Sequence, residues 1–175
     1  MYSIICIQVL YVESSVAIEY NNTVAIETKF IMNIQDLHTL WEADSKIDRT
    51  ELGEESLRIP QLHAKYFRLY SDERRVLRQW EQSYKRLYRQ KHEYYNGTLS
   101  LEELKENAWD PFALRILKSD ISVYIDADEH LMKARSMIAQ QQEKVEFLES
   151  IIKNLPSRGY QIKSAIDWEK FRNGL

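Results

Sequence analysis

Between Lys65 and Lys91 stand nine basic side chains and three acidic ones, Asp72, Glu73 and Glu81, a local charge of +6 in a 175-residue chain of net charge −3. A phosphate senses that local density within a Debye length of about 8–10 Å, whatever the sign of the whole molecule. At 100° per residue, Arg68, Arg74, Arg75, Arg78, Lys85, Arg86 and Arg89 fall within about a third of a helix circumference. Leu69, Tyr70, Val76, Leu77, Trp80, Tyr84, Leu87 and Tyr88 fall on the opposite arc. Arginine predominates on the basic side, and a guanidinium grips phosphate through a planar fork and stacks on bases. The run ends in Tyr94-Tyr95-Asn96-Gly97, which sets aromatic faces beside Arg89 and Lys91. Cations next to aromatic faces are the chemistry of single-strand binding, where bases stack without being read. The plainer alternative is a solvated basic face on a bundle helix, with Trp80 and Tyr84 in its core. A continuous helix turns Lys91 toward the apolar arc, so Lys91 reaches a ligand only if the helix frays before Tyr94.

Other chemistry finds less support. Asp120, Asp126, Asp128, Glu129 and His130 crowd together in the manner of metal ligands, but Asp126 and Glu129 read as a capping box and the rest as negative charge at a helix start. His38, His63, His92 and His130 are scattered, and none is spaced with a Glu as in a zinc-binding helix. There is no glycine-rich phosphate loop and no Gly-x-Ser-x-Gly. The expectation is therefore a non-enzymatic protein without metal or cofactor. Cys6, the only cysteine, allows no intrachain disulfide and suits a reducing cytoplasm.

The elements that must position these residues read as helices. With 44% apolar residues the chain can bury a core, and four Gly with three Pro disfavour a domain of many tight β-turns. Helical periodicity predicts a short amphipathic helix over 33–42, a polar loop over 48–56 and a long helix over 57–95, with Pro60 in its first turn and Asn96-Gly97 as its stop. Ser100 and Glu103 form a capping box for a helix over 100–108, and a further segment restarts after Asp110-Pro111. Residues 119–125 read as strand or extended linker. A helix over 127–155 carries the seam Leu131, Ala134, Ile138, Val145, Leu148, Ile152 and Leu155, interrupted by Gln141 and Gln142. Pro156 and Gly159 are expected to break it before a last short helix over 162–171.

Residues 1–31 have a different texture. The apolar stretch 4–12 is too short to span a bilayer and lacks the flanks of a secretory signal. Alternation around Asn21-Asn22 reads as a β-hairpin. An isolated hairpin is marginal in water, and the change of texture at Met32 leads to the expectation that residues 1–31 precede the true start.

Two motifs carry a resemblance. Ser157-Arg158-Gly159-Tyr160-Gln161-Ile162-Lys163 is similar to Ser-Arg-Gly-Phe-x-Ile-Lys, and the run from Arg89 to Gly97 is similar to Lys-Ala-Arg-Leu-Asp-Tyr-Tyr-Ser-Gly, with His92 in place of the leucine. Trp41, Asp44, Ile47-Asp48 and Leu57-Arg58-Ile59-Pro60 add weaker likeness. In these residues the chain, from Met32 onward, resembles the UvsY family, the recombination mediators of T-even-type bacteriophages. The resemblance implies a mainly α fold over 32–175, a single-stranded-DNA-binding role in recombination, repair and replication, and the cytoplasm of an infected bacterial host. It implies partnership with a RecA-type phage recombinase and the phage single-strand-binding protein, and a ring-like homo-oligomer, hexamer or heptamer. The family's DNA-binding Lys and Arg fall on Arg89 and Lys91. With the wheel, the expected DNA-binding set is Arg75, Arg78, Lys85, Arg86, Arg89, Lys91, Tyr94 and Tyr95. The expected C-terminal oligomerisation set is Leu148, Ile152, Ile162, Ile166, Trp168 and Phe171, which together offer more apolar surface than a short tail can hide. The rival class is a helical adaptor whose basic helix binds an acidic protein without DNA.

Overall fold

The computed structural model describes residues 32–174, all of whose regular elements are helical. The hairpin reading of residues 1–31 lies outside them. Helix α1 (Ile34–Ser45) starts at a reciprocal cap: Asp36 N–H donates to the Asn33 side chain at 2.8 Å, and Asn33 N–H donates to the Asp36 carboxylate at 3.1 Å. Helix α2 (Leu52–Tyr95) and helix α5 (Glu129–Arg172) have 44 residues each, about 66 Å at 1.5 Å per residue. Between them lie α3 (Leu101–Glu106), with the Ser100–Glu103 cap that the sequence predicts, and α4 (Ile121–Asp126). None of the helices is long and apolar enough to cross a membrane.

The two long helices form an antiparallel hairpin. Side-chain bonds join Glu55 to Arg158, Glu73 to Gln141, Tyr84 to Arg135 and Lys91 to Asp128, in opposite order along the two helices. At one end Leu37, Leu62, Tyr66, Leu148, Ile151 and Leu155 form the core, with Trp41 and Phe147 packed on it. At the other, Ile121, Ile125 and Leu131 pack with Tyr84, Leu87, Tyr95 and Ile116. Leu77 and Val145 are buried as well, beside a polar node in which Gln141 donates to the Glu73 carbonyl at 2.9 Å and to its carboxylate at 2.6 Å.

Four expectations are corrected. Helix α2 begins at Leu52, inside the stretch expected to be loop, because Leu52 and Glu55 are buried on the helix face that meets α5. Residues 121–126 are helical, neither strand nor linker, and Ile121 and Ile125 bury one side of that helix. The cap of α5 is Asp128, whose carboxylate accepts from Leu131 N–H at 3.0 Å; Asp126 lies in α4. Pro156 and Gly159 do not break α5. Leu155, Arg158 and Ile162, on one face at helical spacing, are all buried, and that packing outweighs a proline and a glycine whose intrinsic costs are about 3 and 1 kcal/mol. A Cβ on Gly159 would sit 3.6 Å from Ile59 Cδ1, so the helices approach closely there.

Candidate nucleic-acid interface

Helix α2 presents two faces because its apolar arc is consumed by α5. Arg68, Arg74, Arg75, Arg78, Lys85, Arg86 and Arg89 are all exposed. Arg75 pairs with Asp72 at 3.1 Å and Arg89 with Glu93 at 3.7 Å, both within the helix, and Arg86 touches only the Ser83 hydroxyl at 3.2 Å. Arg78 and Lys85 have no ion-pair partner among the described residues. From Arg75 to Arg89 the stripe runs about 21 Å. Its ion pairs are exposed, of the kind worth only about 0–1 kcal/mol, so an anion can displace them.

Lys91 departs from this set. Helix α2 stays helical through Tyr95, and Lys91 is turned inward and only 3% exposed. Its ammonium lies 2.9 Å from the Asp128 carboxylate, 3.9 Å from the Trp109 ring centre, 5.4 Å from that of Tyr94 and 3.3 Å from His130 Nδ1. The structure thus places Lys91, expected from the sequence as a phosphate ligand, inside the hairpin with its charge paired to Asp128. Tyr94 and Tyr95 are likewise engaged. Tyr94 donates to the Asp110 carbonyl at 2.9 Å, Tyr95 donates to Asp128 at 2.9 Å, and their rings pack with Trp109, Phe112 and Tyr124. Both are half-buried. Burial raises the pKa of each phenol, and the Asp128 charge adds to it, so both stay neutral donors. Burial alone would push the Asp128 carboxyl up. The bonds from Lys91, Leu131 N–H and Tyr95 outweigh it and hold the carboxyl below its ordinary range.

No spacing or motif points to Arg135, which reaches across from α5. Its Nε donates to the Tyr84 hydroxyl at 2.7 Å, its Nη2 bonds Asp126 at 3.0 Å, and its guanidinium sits 5.8 Å from the Tyr84 ring centre. Tyr84 and Arg135 are 51 positions apart, so only the register of the hairpin joins them.

The expected oligomerisation set divides. Leu148 is fully buried and Ile162 is 2% exposed, both covered within this chain. Ile152 packs on the core, and Ile166 is half-buried. Trp168 and Phe171 are 63% and 75% exposed, their rings 5.8 Å apart near the end of α5.

The residues that carry the family likeness hold the fold at the α1 end. Arg158, 6% exposed, donates to the carbonyls of Ser45 at 2.6 Å and Lys46 at 2.8 Å and pairs with Glu55 at 2.6 Å, closing the C-terminus of α1 on the hairpin. Asp44 gathers Arg58 at 3.0 Å, Lys65 at 2.6 Å and the Tyr66 hydroxyl at 3.0 Å. Trp41 meets Tyr66 edge-on at 5.2 Å.

Comparison with known proteins supplies the remaining observation. The family described as "Recombination, repair and ssDNA binding protein UvsY" matches residues 40–175. Crystal structures of the bacteriophage T4 recombination mediator protein UvsY are similar in fold. One, in lattice type II, has 22% identity and a TM-score of 0.70, covering 81% of this chain and 98% of that one. Another, in lattice type IV, has 21% identity and a TM-score of 0.71, covering 80% and 99%. No curated protein sequence matches significantly.

Proposed function

This chain belongs to the UvsY family, and on that premise we propose that it is a recombination mediator that binds single-stranded DNA along the outer face of α2. The observation that carries this reading is the exposed stripe Arg75, Arg78, Lys85, Arg86 and Arg89, of which only Arg75 and Arg89 form ion pairs among the described residues, both exposed and weak. The strand would be held by phosphate contacts without sequence preference, as a mediator of recombination at arbitrary sites requires. Several copies joined through the exposed Trp168–Phe171 end of α5 would each offer one stripe, and multivalency would convert weak single sites into tight binding. A strand held in that way would be loosened from the single-strand-binding protein and presented to a RecA-type recombinase.

The test is an anisotropy titration with a homopolymeric oligonucleotide across salt concentrations. About four phosphate contacts per subunit give a slope of log affinity against log salt near −3. Replacing Arg78 and Arg86 together by Ala should reduce the slope by about 1.4 with the helical signal unchanged. An absence of DNA affinity at moderate salt would favour the rival adaptor that binds an acidic protein.

A further inference from the structure

We propose that the crevice between α2 and α5 at Tyr84 and Arg135 is a stacking site for an unpaired nucleobase, lateral to the phosphate stripe. The inference rests on the single-strand reading above and adds a second kind of contact to it. The groove is open to solvent, with a volume of about 610 Å³ and a largely apolar floor of Tyr84, Ile138 and Ala139. Arg135 forms one wall. Two hydrogen bonds, to the Tyr84 hydroxyl and to Asp126, fix its guanidinium plane before any ligand arrives. Both bonds are exposed, so they lower the ordering cost of a long side chain without removing it. One turn beyond Tyr84, Tyr88 is 40% exposed, its ring 6.2 Å from that of Tyr84. A guanidinium plane beside an apolar floor, with an exposed aromatic ring one helical turn away, matches the flat, uncharged faces of a base.

The charges around the groove separate base from backbone. Lys85 lies on the rim and belongs to the basic stripe, whereas Glu81 on the same rim repels phosphate. A strand crossing here keeps its phosphates on the outer face of α2 and turns a base inward. A similar Arg-on-Tyr pair recurs along α2, where Arg74 donates to the Tyr70 hydroxyl at 3.0 Å and lies 5.7 Å from its ring centre. Tyr70 and Tyr84 are four turns apart on the same side of α2, about 21 Å, so an Arg–Tyr contact recurs on this side, there within a single helix.

The experiment compares full-length protein binding to a thymidine homopolymer and to an abasic strand of equal length, by anisotropy at one salt concentration and then across salt. The wild type should bind the abasic strand at least about fivefold more weakly, the equivalent of one stacked base. Arg135→Ala should bring the two affinities together while leaving the salt slope within about 0.7 of the wild type, less than one phosphate contact. Arg135→Lys keeps the charge without the planar fork and should also lose the base preference, which guards against a folding defect in the alanine variant. Equal wild-type affinity for both strands overturns the stacking site and leaves the phosphate stripe standing. A base preference that survives in both Arg135 variants places the stack elsewhere and overturns it too. No affinity for either strand removes this inference together with the DNA-binding reading.

Discussion

Replacing Lys91 by Met keeps the length of the side chain and deletes its charge. Lys91 and Asp128 are 3% and 6% exposed, and their ion pair is 2.9 Å long. Removing one partner of a buried pair leaves an uncompensated charge, a loss of about 3–5 kcal/mol. Asp128 would still accept from Leu131 N–H at 3.0 Å and from Tyr95 at 2.9 Å, which favours the lower part of that range. At about 2–4 °C per kcal/mol for a chain of this size, the midpoint should fall by roughly 6–15 °C, followed by circular dichroism at 222 nm. Adding Asp128→Asn should recover part of the loss, because the stranded charge is then gone. DNA affinity should fall only as far as the folded population falls, and the salt slope at a temperature where the variant is folded should equal that of the wild type. Arg89→Ala is the opposite case. Arg89 is 74% exposed, so stability should change by less than about 0.5 kcal/mol while the slope drops by about 0.7. If Lys91→Met unfolds within about 1 kcal/mol of the wild type and its salt slope is smaller by about 0.7, Lys91 contacts phosphate and its assignment to the hairpin interior is wrong.

Arg158→Ala should destabilise by about 3–5 kcal/mol in urea titrations, because Glu55 stays buried and the Ser45 and Lys46 carbonyls lose their donor; Arg158→Lys should rescue little, and a near-neutral alanine variant would count against the closure of α1. Burial opposes but does not prevent a lowered carboxyl pKa at Asp44, Glu55 and Asp128, held down by Lys65 and Tyr66, by Arg158, and by Lys91 respectively. Groups with depressed folded values give stability that is full above their unfolded pKa of about 4 and is lost as pH falls from there through the lower folded values, so the urea midpoint should be level from pH 7 to about 5.5 and drop below about 4.5; a level midpoint down to pH 3 would contradict these pairs. Replacing Trp168 and Phe171 by Ser should leave the unfolding midpoint unchanged, since both are exposed within the chain, yet give slower-sedimenting species with weaker DNA binding; an unchanged sedimentation coefficient would exclude them from the interface.

Periodicity in the sequence was enough for the basic face of α2, because the stripe depends only on 3.6-residue spacing within one helix. The fate of Lys91 depended on whether that helix stops before Tyr94. A wheel places Lys91 on the apolar arc, but the partner that makes burial tolerable, Asp128, lies 37 positions away. Arg135 was invisible for the same reason, since its meaning comes from Tyr84 on the other long helix. Pro156 and Gly159 misled because local propensity was weighed without Leu155, Arg158 and Ile162, which bury on the same face and carry the helix across both. Leu148 and Ile162 looked like interface residues only because α1 and the start of α2, which help to cover them, could not be placed from spacing alone. The arginine of the C-terminal motif was visible as a likeness, while its task, joining the end of α1 to Glu55, appears only in three dimensions.

A hairpin of two helices about 66 Å long has a register problem that an apolar seam alone does not solve, since hydrophobic burial is non-directional. Polar contacts between α2 and α5 resist a shift of register at four levels. They are Glu55 with Arg158, Glu73 with Gln141 and Lys144, Tyr84 with Arg135, and Lys91 with Asp128. Any slip would strand buried charge at the first, second and fourth levels together, several kcal/mol at each. The interruption of the α5 seam at Gln141 is thus a registration device, its amide donating to both the backbone and the side chain of Glu73. A fixed register is also what places Arg135 of one helix over Tyr84 of the other. The stripe on α2 is then carried by a stiff rod, and its cations keep the spacing at which one strand can engage several of them together.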